Sequence, residues 1–204
     1  MIVGDPTLGI NPRTRAPPNL DPLFLAFCEH FDGKLLWKSR SKAWTTDILR
    51  FFADQAHGLG FRHRDGYMLL DQVWWSEYSD IGLALEHELW ERRVPGLFIH
   101  PRNPNLPQES RRLLDIKAPR KILIVYLTES DEGSLISNFV TWLRTHRFKI
   151  SHPYSEQYML IIGRPARKLG NPAILFRRYL FYDDGSQIVE PQTVILRQAR
   201  SSSR

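Results

Sequence analysis

Apolar residues fall at helical spacing in four stretches of the chain, with polar residues between them. Such spacing is typical of a helix that buries one face. Asp21-Pro22 marks one helix start, because an N-cap followed by proline at the first helical position is favoured. Thr45 or Thr46 can cap another. The spacing predicts helices at about 21–31, 45–58, 111–117 and 134–146.

Between these helices the apolar residues form short continuous runs, which are typical of strands covered on both faces. The runs predict strands at about 66–75, 81–89, 121–127 and 158–163. A hairpin follows, in which strands 173–182 and 187–196 flank a polar turn at 183–186. The proline-rich stretches 4–20 and 94–107 are predicted to be irregular.

The order of these elements predicts an α/β domain with a mixed central β-sheet flanked by helices, plus a C-terminal β-hairpin. We divide the chain into three parts. Residues 1–43 form an N-terminal arm and a short helix, 44–163 the α/β core, and 164–204 the hairpin and tail.

Length and composition narrow the class of protein. The 204 residues suit one domain, and no run approaches the roughly 20 apolar residues of a membrane helix. Residues 1–6 lack the pattern of a signal peptide. Cys28 is the single cysteine, so the sequence excludes an internal disulfide and any cysteine-rich zinc module. We expect a cytoplasmic protein that does not enter a membrane.

Three acidic residues close two of the predicted strands. Asp71 ends the run 67–70, and Glu86 and Glu88 end the run that begins at Ile81. Side chains alternate along a strand, so Glu86 and Glu88 share one face. His87 takes the other face, where we expect a packed, hydrogen-bonded core or surface histidine and not a metal ligand. Buried carboxylates require a nearby positive charge. The pattern therefore predicts a site for Mg²⁺ or Mn²⁺ at Asp71, Glu86 and Glu88.

Basic residues are concentrated away from these acids. The net charge is +6, and lysine and arginine outnumber acids in 100–121 and in 151–204, whereas residues 1–99 are slightly acidic. A phosphate polymer could therefore cross basic segments and reach an acidic metal site. Arg111, Arg177 and Arg178 are the predicted DNA contacts. A solvated basic surface is the alternative, and the hairpin could instead pair with a second copy in a homodimer.

The helix, the two acid-bearing strands, the next helix and the next strand together resemble the restriction-endonuclease-like (PD-(D/E)XK) nuclease superfamily over residues 44–163. The resemblance implies that Asp71 and Glu86 bind a divalent metal in a nuclease-like core that hydrolyses DNA. It also implies a lysine two residues after the second acid, where this chain has Glu88. Arg112 or Lys121 could supply the positive charge, with Glu88 as a further metal ligand or base.

Two other interpretations remain open at the level of sequence. The chain could be a catalytically inactive nuclease-fold module that binds nucleic acid, RNA included, or a protein partner, and Glu88 in the place of lysine favours this reading. It could also be an α/β interaction protein unrelated to nucleases. In that case the acids would form salt bridges with Arg92 or Arg93.

Overall fold

A computed structural model describes residues 15–35, 42–77, 80–88, 108–127, 132–146, 155–168 and 170–199. Within these residues the helices are α1 Leu20–Phe31, α2 Lys42–Gly58, α3 Gln108–Asp115 and α4 Glu132–His146. The strands are β1 Arg62–Asp65, β2 Gln72–Trp75, β3 Ile81–Glu88, β4 Arg120–Tyr126, β5 Gln157–Lys168, β6 Asn171–Tyr182 and β7 Gln187–Arg197.

The seven strands form one sheet in which each strand lies beside the next strand of the chain, in the order β1 to β7. β1, β2 and β3 run antiparallel, as do β5, β6 and β7. β3, β4 and β5 are parallel. Parallel neighbours need a long crossover, and α3 and α4 lie in the two crossover connections. The prediction of a mixed sheet flanked by helices is therefore confirmed.

Helices cover both faces of the sheet, two on each. α1 and α2 pack on one face, where Phe27 of α1 and Phe52 of α2 join a cluster with sheet residues such as Ile124. α3 and α4 pack on the other, where Leu114 and Phe139 belong to a second cluster. We call these the α1/α2 face and the α3/α4 face. Because both faces are covered, β4 is apolar along nearly its whole length.

The predicted strand at 66–75 is wrong in its first half. Residues 67–70 form a tight turn between β1 and β2, in which the Leu70 N–H donates to the Tyr67 carbonyl over 2.9 Å. Met68 and Leu69 at its centre are 70% and 69% exposed, so the apolar run before Asp71 is not buried as a whole. Both have positive φ, 51° and 69°. Hairpin turns with two positive φ values normally carry Asn-Gly, and so Met-Leu gave no turn signal.

Element boundaries differ in smaller ways. α1 begins earlier than Asp21: Asn19 is its N-cap, and the Asn19 side chain accepts a hydrogen bond from the Asp21 N–H over 3.1 Å. β5 continues past residue 163 to Lys168, so the hairpin strands extend the same sheet as the core. Among the residues described, no helix is both long and apolar enough to span a membrane.

Candidate functional site

The register of β2 and β3 brings two of the predicted acids together. Gln72 pairs with Leu85 and Val73 with Ala84, so one further step along the antiparallel ladder sets Asp71 opposite Glu86. Val73 and Ala84 belong to the cluster on the α3/α4 face, and alternation puts both acids on that face. Residues directly opposite in such a pair have Cβ atoms about 4.5–5.5 Å apart.

The main chain around these acids fixes their positions. The Gly66 N–H donates to the Asp71 carbonyl over 3.0 Å, which extends the β1–β2 ladder to Asp71. The Asp71 carboxylate accepts the backbone N–H of His87 over 2.7 Å. Glu86 is only 2% exposed. Like charges directly opposite each other are destabilising, and a cation between the two carboxylates would offset that repulsion.

The third predicted ligand is described only in part. The backbone of Glu88 lies in β3 and pairs with Val125 of β4, and its side chain falls outside the described part of the structure. The same holds for all of Arg92 and Arg93. Within the described ranges no group of three or more His, Cys, Asp or Glu side chains is placed to hold a metal ion. A pair of acids at adjacent register positions still suits Mg²⁺, which commonly binds one or two carboxylates and completes its shell with water and phosphate.

Arg112 of α3 lies beside the start of β2. Its guanidinium donates to the carbonyl of Leu69 over 3.3 Å, and Leu69 is two residues before Asp71. A positive charge is therefore held next to the turn that leads into the acidic pair. The neighbouring Arg111 lies in the same helix, with its side chain outside the described residues.

Lys121, the other predicted source of positive charge, is fully buried in a separate cluster. Its ammonium donates to Glu156 over 2.9 Å, to the Leu114 carbonyl over 3.2 Å and to the Tyr158 hydroxyl over 3.2 Å. An ammonium has three N–H donors, so these contacts use all of them. Burial lowers the pKa of Lys121, although Glu156 opposes that shift. Sequence reasoning missed Glu156 and Tyr158 as its partners.

The two arginines of the hairpin lie on opposite faces of β6, and each contacts an acid of this chain. Arg178 is 6% exposed and forms an ion pair of 2.6 Å with Asp21 next to α1 residue Phe24. Arg177 forms an ion pair of 3.1 Å with Glu132 at the start of α4. Glu132 also accepts a hydrogen bond from the Tyr179 hydroxyl over 2.7 Å. Both arginines thus connect β6 to a helix, and no pattern in the sequence indicates these acidic partners.

His87 lies on the α1/α2 face, as the alternation along β3 predicts. It is buried, and its Nε2 is 3.0 Å from the Tyr126 hydroxyl. Burial lowers the pKa of His87 to about 4, so the imidazole is neutral near pH 7. Its side chain is therefore part of the core, while its backbone N–H orients Asp71 on the other side of the sheet.

No protein-family model matches the chain, and no curated protein matches it either. The described residues form an α/β protein with a mixed sheet, in which Asp71 immediately precedes β2 and lies next in register to Glu86 of β3.

Proposed function

We propose that the protein is a divalent-metal-dependent nuclease that hydrolyses phosphodiester bonds in DNA. The observation that carries this proposal is the register that sets Asp71 opposite Glu86 on the α3/α4 face. The order α2, β1, β2, β3, α3, β4 contains the helix, the two acid-bearing strands, the next helix and the next strand on which the resemblance to the PD-(D/E)XK superfamily depends, with β1 as an additional strand.

The acidic residues have distinct roles in this proposal. Asp71 and Glu86 would hold Mg²⁺ or Mn²⁺, and Glu88 is the further ligand or base that the sequence predicts. A metal bound there would supply a water of lowered pKa and would offset negative charge on the scissile phosphate. The His87 N–H holds the Asp71 carboxylate in one orientation, which limits the reorganisation needed when substrate binds.

We assign the positive charge near the site to Arg112 and not to Lys121. The Arg112 guanidinium contacts the turn before Asp71, and a planar guanidinium suits phosphate oxygens. The Lys121 ammonium already binds Glu156, the Leu114 carbonyl and Tyr158. Recruiting it would leave Glu156 buried with an uncompensated charge, which is costly.

The direct test is cleavage of supercoiled plasmid and of single-stranded DNA with Mg²⁺ or Mn²⁺, with an RNA substrate run in parallel. We expect Glu86→Gln and Asp71→Asn to lower the rate by about 10³-fold, or about 4 kcal/mol of barrier. Both substitutions preserve shape while removing charge. Glu190→Gln is the matched control, because Glu190 is an exposed strand acid on β7.

Each result has a definite meaning for the proposal. Metal-dependent cleavage that is lost in Glu86→Gln and kept in Glu190→Gln supports it. Full activity in Glu86→Gln shows that the cleavage site is elsewhere. An absence of cleavage with either metal on every substrate overturns the nuclease proposal.

A second candidate function is a catalytically inactive module of the same fold that binds nucleic acid. The observation that favours it is Glu88 at the place of the expected lysine, together with the internal ion pair of Lys121. This candidate predicts DNA binding of equal strength in EDTA and in Mg²⁺, with no cleavage. An electrophoretic mobility assay in the two buffers separates it from the nuclease.

A further inference from the structure

The turn between β1 and β2 presents two apolar side chains to solvent. Met68 and Leu69 are 70% and 69% exposed, more than any other large hydrophobic residue that the structure describes. The residues on either side of them are anchored. Tyr67 packs edge-on against Trp75 at 5.0 Å, and Leu70 is buried on the α3/α4 face. Met68 and Leu69 therefore point to solvent, while the packed side chains of Tyr67 and Leu70 hold the turn in place.

The backbone of the turn is strained at these two residues. Met68 and Leu69 have φ values of 51° and 69°, a region that side-chain-bearing residues avoid and that Asn-Gly fills in most turns of this kind. Neither side chain gains packing in return, because both are exposed. Strain that the fold itself does not use is a feature of binding and active sites.

Two guanidinium groups contact residues of the turn. Arg64 lies over the ring of Tyr67, with its Cζ 5.6 Å from the ring centroid. Arg112 donates to the Leu69 carbonyl over 3.3 Å. The nearby acid Asp65 accepts a hydrogen bond from Gln72 over 2.8 Å. An apolar tip beside two arginines matches duplex DNA, whose phosphates attract guanidinium groups and whose base stack admits Met and Leu side chains.

The turn is also directly connected to the proposed cleavage site. The Gly66 N–H donates to the Asp71 carbonyl over 3.0 Å, and Leu69 precedes Asp71 by two residues. Two residues span at most about 7 Å, and DNA rises about 3.4 Å per nucleotide along each strand. A duplex bound with its scissile phosphate at Asp71 would therefore meet the tip within a few base steps.

We propose that Met68 and Leu69 form an apolar wedge that inserts between base pairs of duplex DNA next to the site of cleavage. This inference rests on the proposed function and adds its substrate class: a duplex that is locally unstacked on binding. Unstacking a base step costs free energy, and the additional contacts that the protein makes with the bent DNA offset this cost. The pyrimidine–purine steps TA and CA are the easiest to kink, so we expect them to be preferred at the wedge.

The test uses the full chain with duplexes that carry 2-aminopurine, whose fluorescence rises when it unstacks. The duplexes have varied flanking sequences, and the buffer contains EDTA so that the DNA stays intact. The key variant is Met68→Asn with Leu69→Gly, which gives the turn its preferred residues and removes both apolar side chains. Its melting temperature should equal or exceed that of the wild type, so misfolding does not explain a loss. The matched control exchanges the pair, Met68→Leu with Leu69→Met.

We expect wild-type protein and the exchange control to raise the 2-aminopurine fluorescence several-fold. The Asn-Gly variant should bind about 10-fold more weakly and give no rise. Arg64→Ala should weaken binding with a smaller salt dependence and keep the rise, because its contact is to phosphate. The wedge is overturned if wild-type protein produces no rise on any duplex, or if the Asn-Gly variant matches the wild type.

Cleavage assays on the same variants keep the two proposals distinguishable. If wild-type protein cleaves DNA with Mg²⁺ but produces no unstacking, the nuclease proposal stands and the wedge falls. If it unstacks DNA and cleaves none, the nuclease proposal is overturned, and Met68 and Leu69 are the wedge of the DNA-binding module instead. Vesicles containing anionic lipid test another occupant of an apolar, basic tip. Vesicle binding that is lost in the Asn-Gly variant while DNA binding is unchanged assigns the tip to a membrane and overturns the wedge.

Discussion

Two charged clusters lie on the same face of the sheet and differ in how their charges are balanced. In the first, the Lys121 ammonium binds Glu156 and Tyr158, so opposite charges meet inside the core. In the second, Asp71 and Glu86 oppose each other across β2 and β3 with the same sign of charge. Both contain side chains that the fold takes out of water.

The difference shows which buried charges point to function. Lys121 is fully buried, and its three N–H donors all have partners within the chain. The fold itself therefore accounts for this buried charge. Asp71 and Glu86 carry charges of the same sign, which makes the pair a candidate site for a cation. We therefore select the second cluster by the sign of the neighbouring charge, because both clusters contain a buried side chain.

Breaking the first cluster should have the largest effect on stability. Lys121→Met leaves the Glu156 carboxylate buried without its ammonium partner, and we expect a loss of about 3–5 kcal/mol in the free energy of unfolding. Urea unfolding followed by circular dichroism measures this loss. The double variant Lys121→Met with Glu156→Leu should recover most of it, because no uncompensated charge remains.

The double variant also serves as the control. If it is as unstable as Lys121→Met alone, the loss comes from packing and not from charge. A single variant within 1 kcal/mol of the wild type would show that Glu156 is well solvated without Lys121, and the contrast between the two clusters would then fail.

Metal should stabilise the second cluster only. At a Mg²⁺ concentration ten times the dissociation constant, a single site adds about 1.4 kcal/mol to the free energy of unfolding. For a chain of this length that corresponds to a rise of about 3–6 °C in melting temperature. Calorimetry with and without Mg²⁺ should show the rise in the wild type and in Glu190→Gln. Glu86→Gln should show none, and an equal rise there would place the metal elsewhere.

Removing one negative charge from the second cluster should have the smallest effect. Without metal and at low salt, Glu86→Gln should raise the free energy of unfolding by about 0.5–1 kcal/mol, because it relieves repulsion from Asp71. The gain should shrink in high salt as the charges are screened. Chemical denaturation at two salt concentrations measures it. A marked destabilisation instead would mean that the Glu86 carboxylate balances a positive charge of the fold.

Much of the fold could be predicted from the sequence, because the apolar pattern carries it. The apolar runs at β3, β4 and β5 predicted these strands correctly. Alternation along β3 also correctly placed Glu86 and His87 on opposite faces of the sheet. The Met68–Leu69 turn was missed because neither residue has the chemistry that usually marks a turn.

The partners of the charged residues could not be predicted, because they depend on tertiary packing. Lys121 and Glu156 are 35 residues apart, and Arg178 reaches back to Asp21 in α1. No spacing rule connects such pairs. The strand register that sets Asp71 opposite Glu86 likewise depends on the length of the turn and on the length of the β2–β3 connection. The spacing of apolar residues does not predict either length.

The ion pairs of α1 have a consequence for how the protein is made. Asp21 pairs with Arg178 of β6, and Asp32 pairs with Arg197 at the end of β7 over 2.7 Å. A ribosome adds about 5–20 residues per second. The interval between synthesis of α1 and synthesis of these partners is therefore on the order of 10–30 s. Until then Phe27 of α1 can pack on Phe52 of α2 but not on Phe176 of β6. The ion pairs of α1 with β6 and β7 therefore form late, after the strands that precede them have been synthesised.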